Sequence, residues 1–174
     1  MTNTDAPILT EAVCRVLDGP HLAILATSSP DGHPQTSALF VKREGDEILF
    51  STIKGRRKAK NLLRNPRVNL LAHRLPVGSE GVAYVTVSGT VEFTDDPDGA
   101  FHQVIYGQYM GGGTPPPEPG AERLIARIRP DRVYVPPVYG GDLYCAFCDA
   151  YYPAAELVDG FCPVHGSPAT GAAG

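Results

Sequence analysis

The sequence predicts a mainly β domain: an antiparallel barrel with a few helices. Three observations carry this. Short apolar runs of strand length recur between turns rich in proline, glycine and aspartate. Val82 to Thr94 alternates Val85, Val87, Gly89, Val91 and Phe93 with polar neighbours, the pattern of a strand with one buried face. Nothing shows the regular strand-helix alternation of a parallel sheet, so a closed or nearly closed antiparallel barrel is the economical architecture.

The elements follow in order. Thr10 can cap a short helix through Leu17, with Glu11 near its positive end and Gly19-Pro20 as its stop. His21 to Thr27, Gln35 to Lys42 and Glu47 to Thr52 read as a three-stranded meander, turned at Pro30-Asp31-Gly32 and at Glu44-Gly45-Asp46. A helix from near Arg56 to Arg64 ends at Asn65-Pro66, because a residue before proline is driven from the α region. Arg67 to His73 and Val82 to Thr94 are the next strands. Asp95 to Asp98 opens a helix running to about Met110, with Phe101, Val104, Ile105 and Tyr109 at helical spacing. Gly111 to Gly120 holds too much glycine and proline for regular structure; it is a surface loop or a lid, with a solvated connection as the simpler reading. Leu124 to Ile128 and Arg132 to Pro136 read as two closing strands divided by Pro130-Asp131.

Composition narrows the function classes. The 174 residues are 43% hydrophobic and 20% charged, which suits one folded domain with a small appendage. No apolar run approaches the roughly 20 residues of a spanning helix, and no signal pattern opens the chain, so the expected location is cytoplasmic, with no membrane partner. The formal net charge is -4, yet six of the fifteen cations fall between Lys54 and Arg64 with no acidic residue among them. Residues 1–132 balance fifteen basic against fifteen acidic residues, and the acidic tail makes nucleic acid an unsuitable partner. Cations gathered at a strand-glycine-helix junction instead mark a site for a bound anion, where the amides at the helix start add to them. A phosphate there reverses the unfavourable term between those cations and the helix dipole. Arg56 offers a planar fork, Lys58 a point charge, and Ser51 and Thr52 small hydroxyls, the donor types that a phosphate takes. Arg57, Lys60 and Arg64 fall on other helical faces and are read as solvated.

Ordinary catalytic signatures are absent. There is no Gly-x-Ser-x-Gly elbow and no Walker-type loop. His33, His73 and His102 lack metal spacing and are read as surface or loop residues rather than catalytic ones. Cys14 reads as a small core residue. Cys145-Ala-Phe-Cys148 and, thirteen residues on, Cys162-Pro-Val-His165 have the spacing of a closed tetrahedral zinc site. A closed Cys3His shell leaves no position for substrate, so the expected zinc is structural and organises a segment too small for its own core. Tyr144 to Gly166 also resembles the zinc-knuckle inserts of methionyl-tRNA synthetases, over about twenty residues and without implying synthetase activity.

A wider resemblance rests on Leu25-Ala-Thr27, Pro30-Asp-Gly-His-Pro-Gln-Thr-Ser37, Phe50-Ser-Thr52, Gly55-Arg-Arg-Lys58, Asn61-Leu62 and Asn65-Pro-Arg-Val68. In order and spacing these resemble the pyridoxamine 5′-phosphate oxidase-like, flavin/deazaflavin oxidoreductase superfamily, over residues 10–136. The resemblance implies a split β-barrel, FMN-binding-protein-like, that forms a homodimer with a flavin-type cofactor in grooves at the dimer interface. The branch most resembled uses the deazaflavin coenzyme F420, with FMN as the alternative. It implies that Arg56, Lys58, Ser51 and Thr52 hold the cofactor phosphate, while Ala26, Thr27, Pro34, Gln35, Thr36 and Ser37 line the ring and tail. Asn61 is a weaker candidate that can instead tie its helix to the neighbouring strand. With no tryptophan in the chain, Tyr106, Tyr109 and Tyr134 are the aromatics considered for stacking. The implied activity is hydride transfer to a small unsaturated or conjugated substrate, the cofactor carrying the hydride; an FMN-dependent oxidase-like enzyme and a non-catalytic flavin- or haem-binding barrel are the alternatives. The expected organisation is a barrel over residues 1–139, a zinc knuckle over 140–168 and a disordered tail over 169–174.

Overall fold

A computed structural model describes residues 8–73 and 84–135, and the backbone of 142–145 and 150–153. Helix α1 (Glu11–Leu17) precedes strands β1 (Ala23–Ser28), β2 (Pro34–Leu39), β3 (Lys42–Glu44) and β4 (Glu47–Ile53). Then come α2 (Arg57–Arg64), β5 (Arg67–His73), β6 (Tyr84–Asp95), α3 (Ala100–Tyr109) and β7 (Arg123–Tyr134). A separate hairpin pairs β8 (Asp142–Cys145) with β9 (Ala150–Pro153).

The seven strands β1 to β7 form one antiparallel sheet in the order β2-β1-β5-β6-β7-β4-β3. Chain neighbours β2 and β3 therefore lie at opposite edges, joined only by Phe40 and Val41. A flat sheet of seven strands separates its edge strands by about 29 Å, whereas the Leu39 to Lys42 link reaches about 11 Å at most. The sheet must curl until the end of β2 lies within that reach of the start of β3. This corrects the expected meander: β2 pairs with β1, but β3 and β4 form a hairpin at the far edge.

Alternation decides what the curl encloses. Leu25, Phe50, Leu70, Val87, Ala126 and Ile128 face inward and are buried in a single core. Thr10 caps α1 by accepting from the Val13 amide at 3.5 Å, and Val13, Val16 and Leu17 join the core from that helix. Cys14 packs against the same cluster, as its apolar neighbours suggest.

The two closing strands read from the sequence are one twelve-residue strand, β7. Pro130-Asp131 does not break it, because a bulge absorbs the irregularity: Gly89 faces Pro130 and Ser88 faces Arg132, leaving Asp131 as the additional residue. Gly89 makes this approach possible, since a Cβ there would lie 2.2 Å from the Arg129 carbonyl oxygen. Helix α3 begins later than the acidic run suggests. Its cap is Gly99 at φ 66°, and the buried Asp96 carboxylate accepts from the Phe101 and His102 amides at 3.2 and 3.1 Å.

Of the expected zinc ligands, Cys148, Cys162 and His165 lie outside the described residues, and only the backbone of Cys145 is described. Cys145 ends β8, paired with Ala150. No cluster able to hold a metal occurs among the described residues, and none of their helices is long and apolar enough to cross a membrane.

Gly89→Ala is expected to destabilise the protein by about 1–3 kcal/mol, since backbone rather than a flexible side chain must yield. A urea denaturation midpoint equal to that of the parent protein would contradict this use of Gly89.

Candidate functional site

A cleft of about 350 Å³ opens where the sheet edges meet. Leu22 before β1, Ala38 to Phe40 at the end of β2, and Ser51 to Ile53 at the end of β4 line one side. Arg56 and Lys58, at the start of α2, supply positive charge. The far wall holds His102 and Tyr106 of α3, Pro116 and Glu118 of the glycine- and proline-rich loop, and Arg123 of β7.

Four of the expected phosphate ligands therefore come together: Ser51, Thr52, Arg56 and Lys58. The hydroxyls of Ser51 and Thr52 are buried without a hydrogen-bond partner among the described residues. Unpaired buried hydroxyls are costly, and an arriving acceptor or donor removes that cost. Among the described residues His73 Nδ1 is the other such buried atom, but His73 does not line the cleft and instead stacks on His21. Lys58 is half-buried with no anionic partner among the described residues, and burial together with the Arg56 charge pushes its ammonium below the ordinary lysine value. Helix α2 has no side-chain cap, and its first ladder bond runs from the Lys60 amide to the Arg56 carbonyl at 3.0 Å. The first-turn amides before that bond remain available to an anion.

The six-cation stretch divides by contact. Lys54 pairs with Glu122 at 3.7 Å, Arg56 with Glu118 at 3.4 Å, and Arg64, expected to be solvated, donates to the Ser28 carbonyl. Only Arg56 and Lys58 of the six line the cleft. Folding brings acids from a distant loop to a segment that has none of its own.

The other expected cofactor residues do not line this cleft. Asn61, 3% exposed, donates to Thr27 Oγ1 at 3.0 Å; Thr27 donates to Gln35 Oε1 at 3.0 Å, and Gln35 Nε2 donates to Ser37 Oγ at 2.8 Å. This chain of bonds ties α2 to β1 and β2 through Asn61. Ala26 pairs with Thr36 on the two strands, and Thr36 shares the exposed β2 face of Pro34 and Ala38. That face runs from the cleft, which it meets at Ala38.

His102, read from the sequence as a surface or loop residue, lies in α3 and lines the cleft, as do Pro116, Glu118 and Arg123, which sequence reasoning did not single out; Tyr106 is the one stacking candidate that reaches the cleft. His102 and Tyr106 stand four apart, which puts them on one helical face and was legible. Tyr109 is engaged elsewhere: it stacks on Phe40 at 4.2 Å and donates its hydroxyl to the Val41 carbonyl at 2.7 Å. Tyr134 is exposed on β7. Burial, reinforced by Arg123, pushes the His102 imidazolium below its ordinary pKa and so favours the neutral ring. Glu118 Oε2 contacts Arg123, whose side chain is 12% exposed, while Oε1 faces Arg56.

Fold and cleft together define a curled antiparallel sheet with a cation-rich cleft at a helix start. The chain belongs to the pyridoxamine 5′-phosphate oxidase family, whose model matches residues 9–135. A solved F420 reductase is 32% identical, with 69% of this chain and 94% of that one covered and a TM-score of 0.63. A conserved hypothetical protein from Mycobacterium tuberculosis is 28% identical, with 77% of this chain and 89% of that one covered and a TM-score of 0.57. General Stress Protein 26 from Bacillus anthracis, at 19% identity, shares the fold, with 72% and 91% covered and a TM-score of 0.55. No curated protein matches. The resemblance read from residues 10–136 is thereby shown, while the likeness of the C-terminal segment to synthetase inserts falls beyond the matched residues.

Asn61→Ala removes the donor to Thr27 and is expected to cost about 1–3 kcal/mol of stability through the unpaired buried groups left behind. Equilibrium unfolding measures this, and an unchanged midpoint would sever α2 from the β1-β2 network.

Proposed function

We propose that the protein is an oxidoreductase that binds the deazaflavin coenzyme F420 and passes hydride to a small unsaturated or conjugated substrate. The observation that carries this reading is that, among the described residues, the Ser51 and Thr52 hydroxyls and the Lys58 ammonium have no partner, beside a start of α2 with no side-chain cap. That donor set suits the phosphate of F420, and equally that of FMN, the alternative. The F420 reductase at 32% identity favours F420.

Arg56 and Lys58 would hold the phosphate, with Ser51 and Thr52 donating to its oxygens. Leu39, Phe40, Ile53 and Ile105 give the cleft an apolar wall that excludes water from whatever lies against it. At about 350 Å³ the cleft stands at the small end of ligand sites, so the ring and tail would extend along the exposed face that carries Ala26, Pro34 and Thr36. A second copy of the chain would cover that face, consistent with the homodimer that the resemblance implies. The bound deazaflavin supplies hydride chemistry; the chain supplies orientation and charge. His102, held neutral, can give or take a proton at an imidazole nitrogen in the same cleft.

The C-terminal segment supports a second site. Cys145 stands at the end of a β-hairpin strand, with Cys148 three residues on, which fits a zinc knuckle completed by Cys162 and His165 and appended to a barrel over residues 1–139.

Titration with F420 and with FMN tests the cofactor reading; no measurable affinity for either removes it. Arg56→Ala and Lys58→Ala should each weaken cofactor binding by about 1.5–3 kcal/mol through lost charged hydrogen bonds. Elemental analysis should find about one zinc per chain, lost in Cys148→Ser and in Cys162→Ser. Protein purified without chelator and free of zinc would remove the knuckle.

A further inference from the structure

The cleft is lined by three cations, Arg56, Lys58 and Arg123, and by one carboxylate, Glu118. Its two oxygens are divided between two guanidinium groups, Oε1 toward Arg56 and Oε2 toward Arg123. An anionic ligand group would need the same guanidinium hydrogens. The two contacts are unequal in strength. Arg123 is largely buried on β7 and makes the closer pair, whereas Arg56 and Glu118 are both substantially exposed and stand 3.4 Å apart. A water-exposed pair at that distance is weak and easily exchanged.

Glu118 also sits on a segment suited to presenting it. Gly111 and Gly112 on one side and Gly120 on the other have positive φ of 64°, 85° and 76°, and Pro115, Pro116 and Pro117 stiffen the run between them. Pro116 and Glu118 both line the cleft, so the loop forms part of its wall. The solvated connection suggested by its composition is thus a wall of the cleft that brings a charge of its own.

We propose that Glu118 is an internal competitor for the anion site: its carboxylate holds Arg56 until an incoming anionic group takes that guanidinium, while Arg123 keeps the other oxygen. Glu118 then sets the affinity threshold, so anions able to form paired charged hydrogen bonds with Arg56 displace it and weaker ones do not. This rests on the reading of the cleft as an anion site, but not on the identity of the cofactor.

Calorimetric titration of the full-length protein with inorganic pyrophosphate tests the proposal. Glu118→Gln keeps the shape and removes the charge; it should tighten binding about tenfold, as should Glu118→Ala. Glu122→Gln removes the same charge from the Lys54 pair outside the cleft and should leave affinity unchanged. In an Arg56→Ala background, Glu118→Gln should give little or no gain. The proposal is overturned by unchanged or weaker binding in both Glu118 variants, by an equal gain from Glu122→Gln, by an equal gain without Arg56, or by no pyrophosphate binding in any variant. Tightening toward pyrophosphate in a protein with no affinity for F420 or FMN upholds the competitor and removes the cofactor reading instead.

Discussion

The two-residue link between β2 and β3 is the constraint on which the rest of the molecule depends. Phe40 and Val41 join strands at opposite edges of a seven-stranded sheet, and no flat or gently twisted sheet satisfies so short a connection. Curling the sheet encloses the core and also creates the cleft, because it brings the end of β2 beside the end of β4. The seam is fastened from outside. Tyr109 stacks on Phe40 and bonds the Val41 carbonyl, which sets the C-terminal end of α3 against the link. Asp96 fixes the other end of α3 through the Phe101 and His102 amides. With both ends held, His102 and Tyr106 become the far wall of the cleft.

Electrostatics in the cleft follow from which charges the fold can pair. Lys54, Arg56 and Arg64 find partners, two of them acids supplied by the loop before β7 and the third a backbone carbonyl. Among the described residues Lys58 does not, and it sits half-buried at a helix start where lost solvation and the neighbouring Arg56 charge both act against its ammonium. An anion placed there would offset both effects.

The bond chain from Asn61 through Thr27 and Gln35 to Ser37 shows why motif residues need not be ligands. Asn61 and Thr27 are buried polar groups that satisfy one another, and the chain holds α2 at a fixed place against β1. The cleft cations at the start of α2, Arg56 and Lys58, are thus positioned by residues that do not themselves line the cleft. A recognisable sequence pattern mixes both kinds, since each is required for the same geometry.

The sequence by itself determined most strands, the helix limits set by Thr10 and by Asn65-Pro66, and the gathering of cations at the start of α2, of which Arg56 and Lys58 line the cleft. These depend on local periodicity, backbone restriction and charge, all readable along the chain. Tertiary structure decided that the expected meander splits across the seam, because edge order is a long-range property. It also joined the two closing strands into one, since the clearance at Gly89 depends on a carbonyl forty residues away. The far wall of the cleft, with His102, Glu118 and Arg123, was likewise fixed only by folding. No local signal shows that a loop of glycine and proline will carry a carboxylate to an arginine 62 residues earlier; the curl of the sheet places it there.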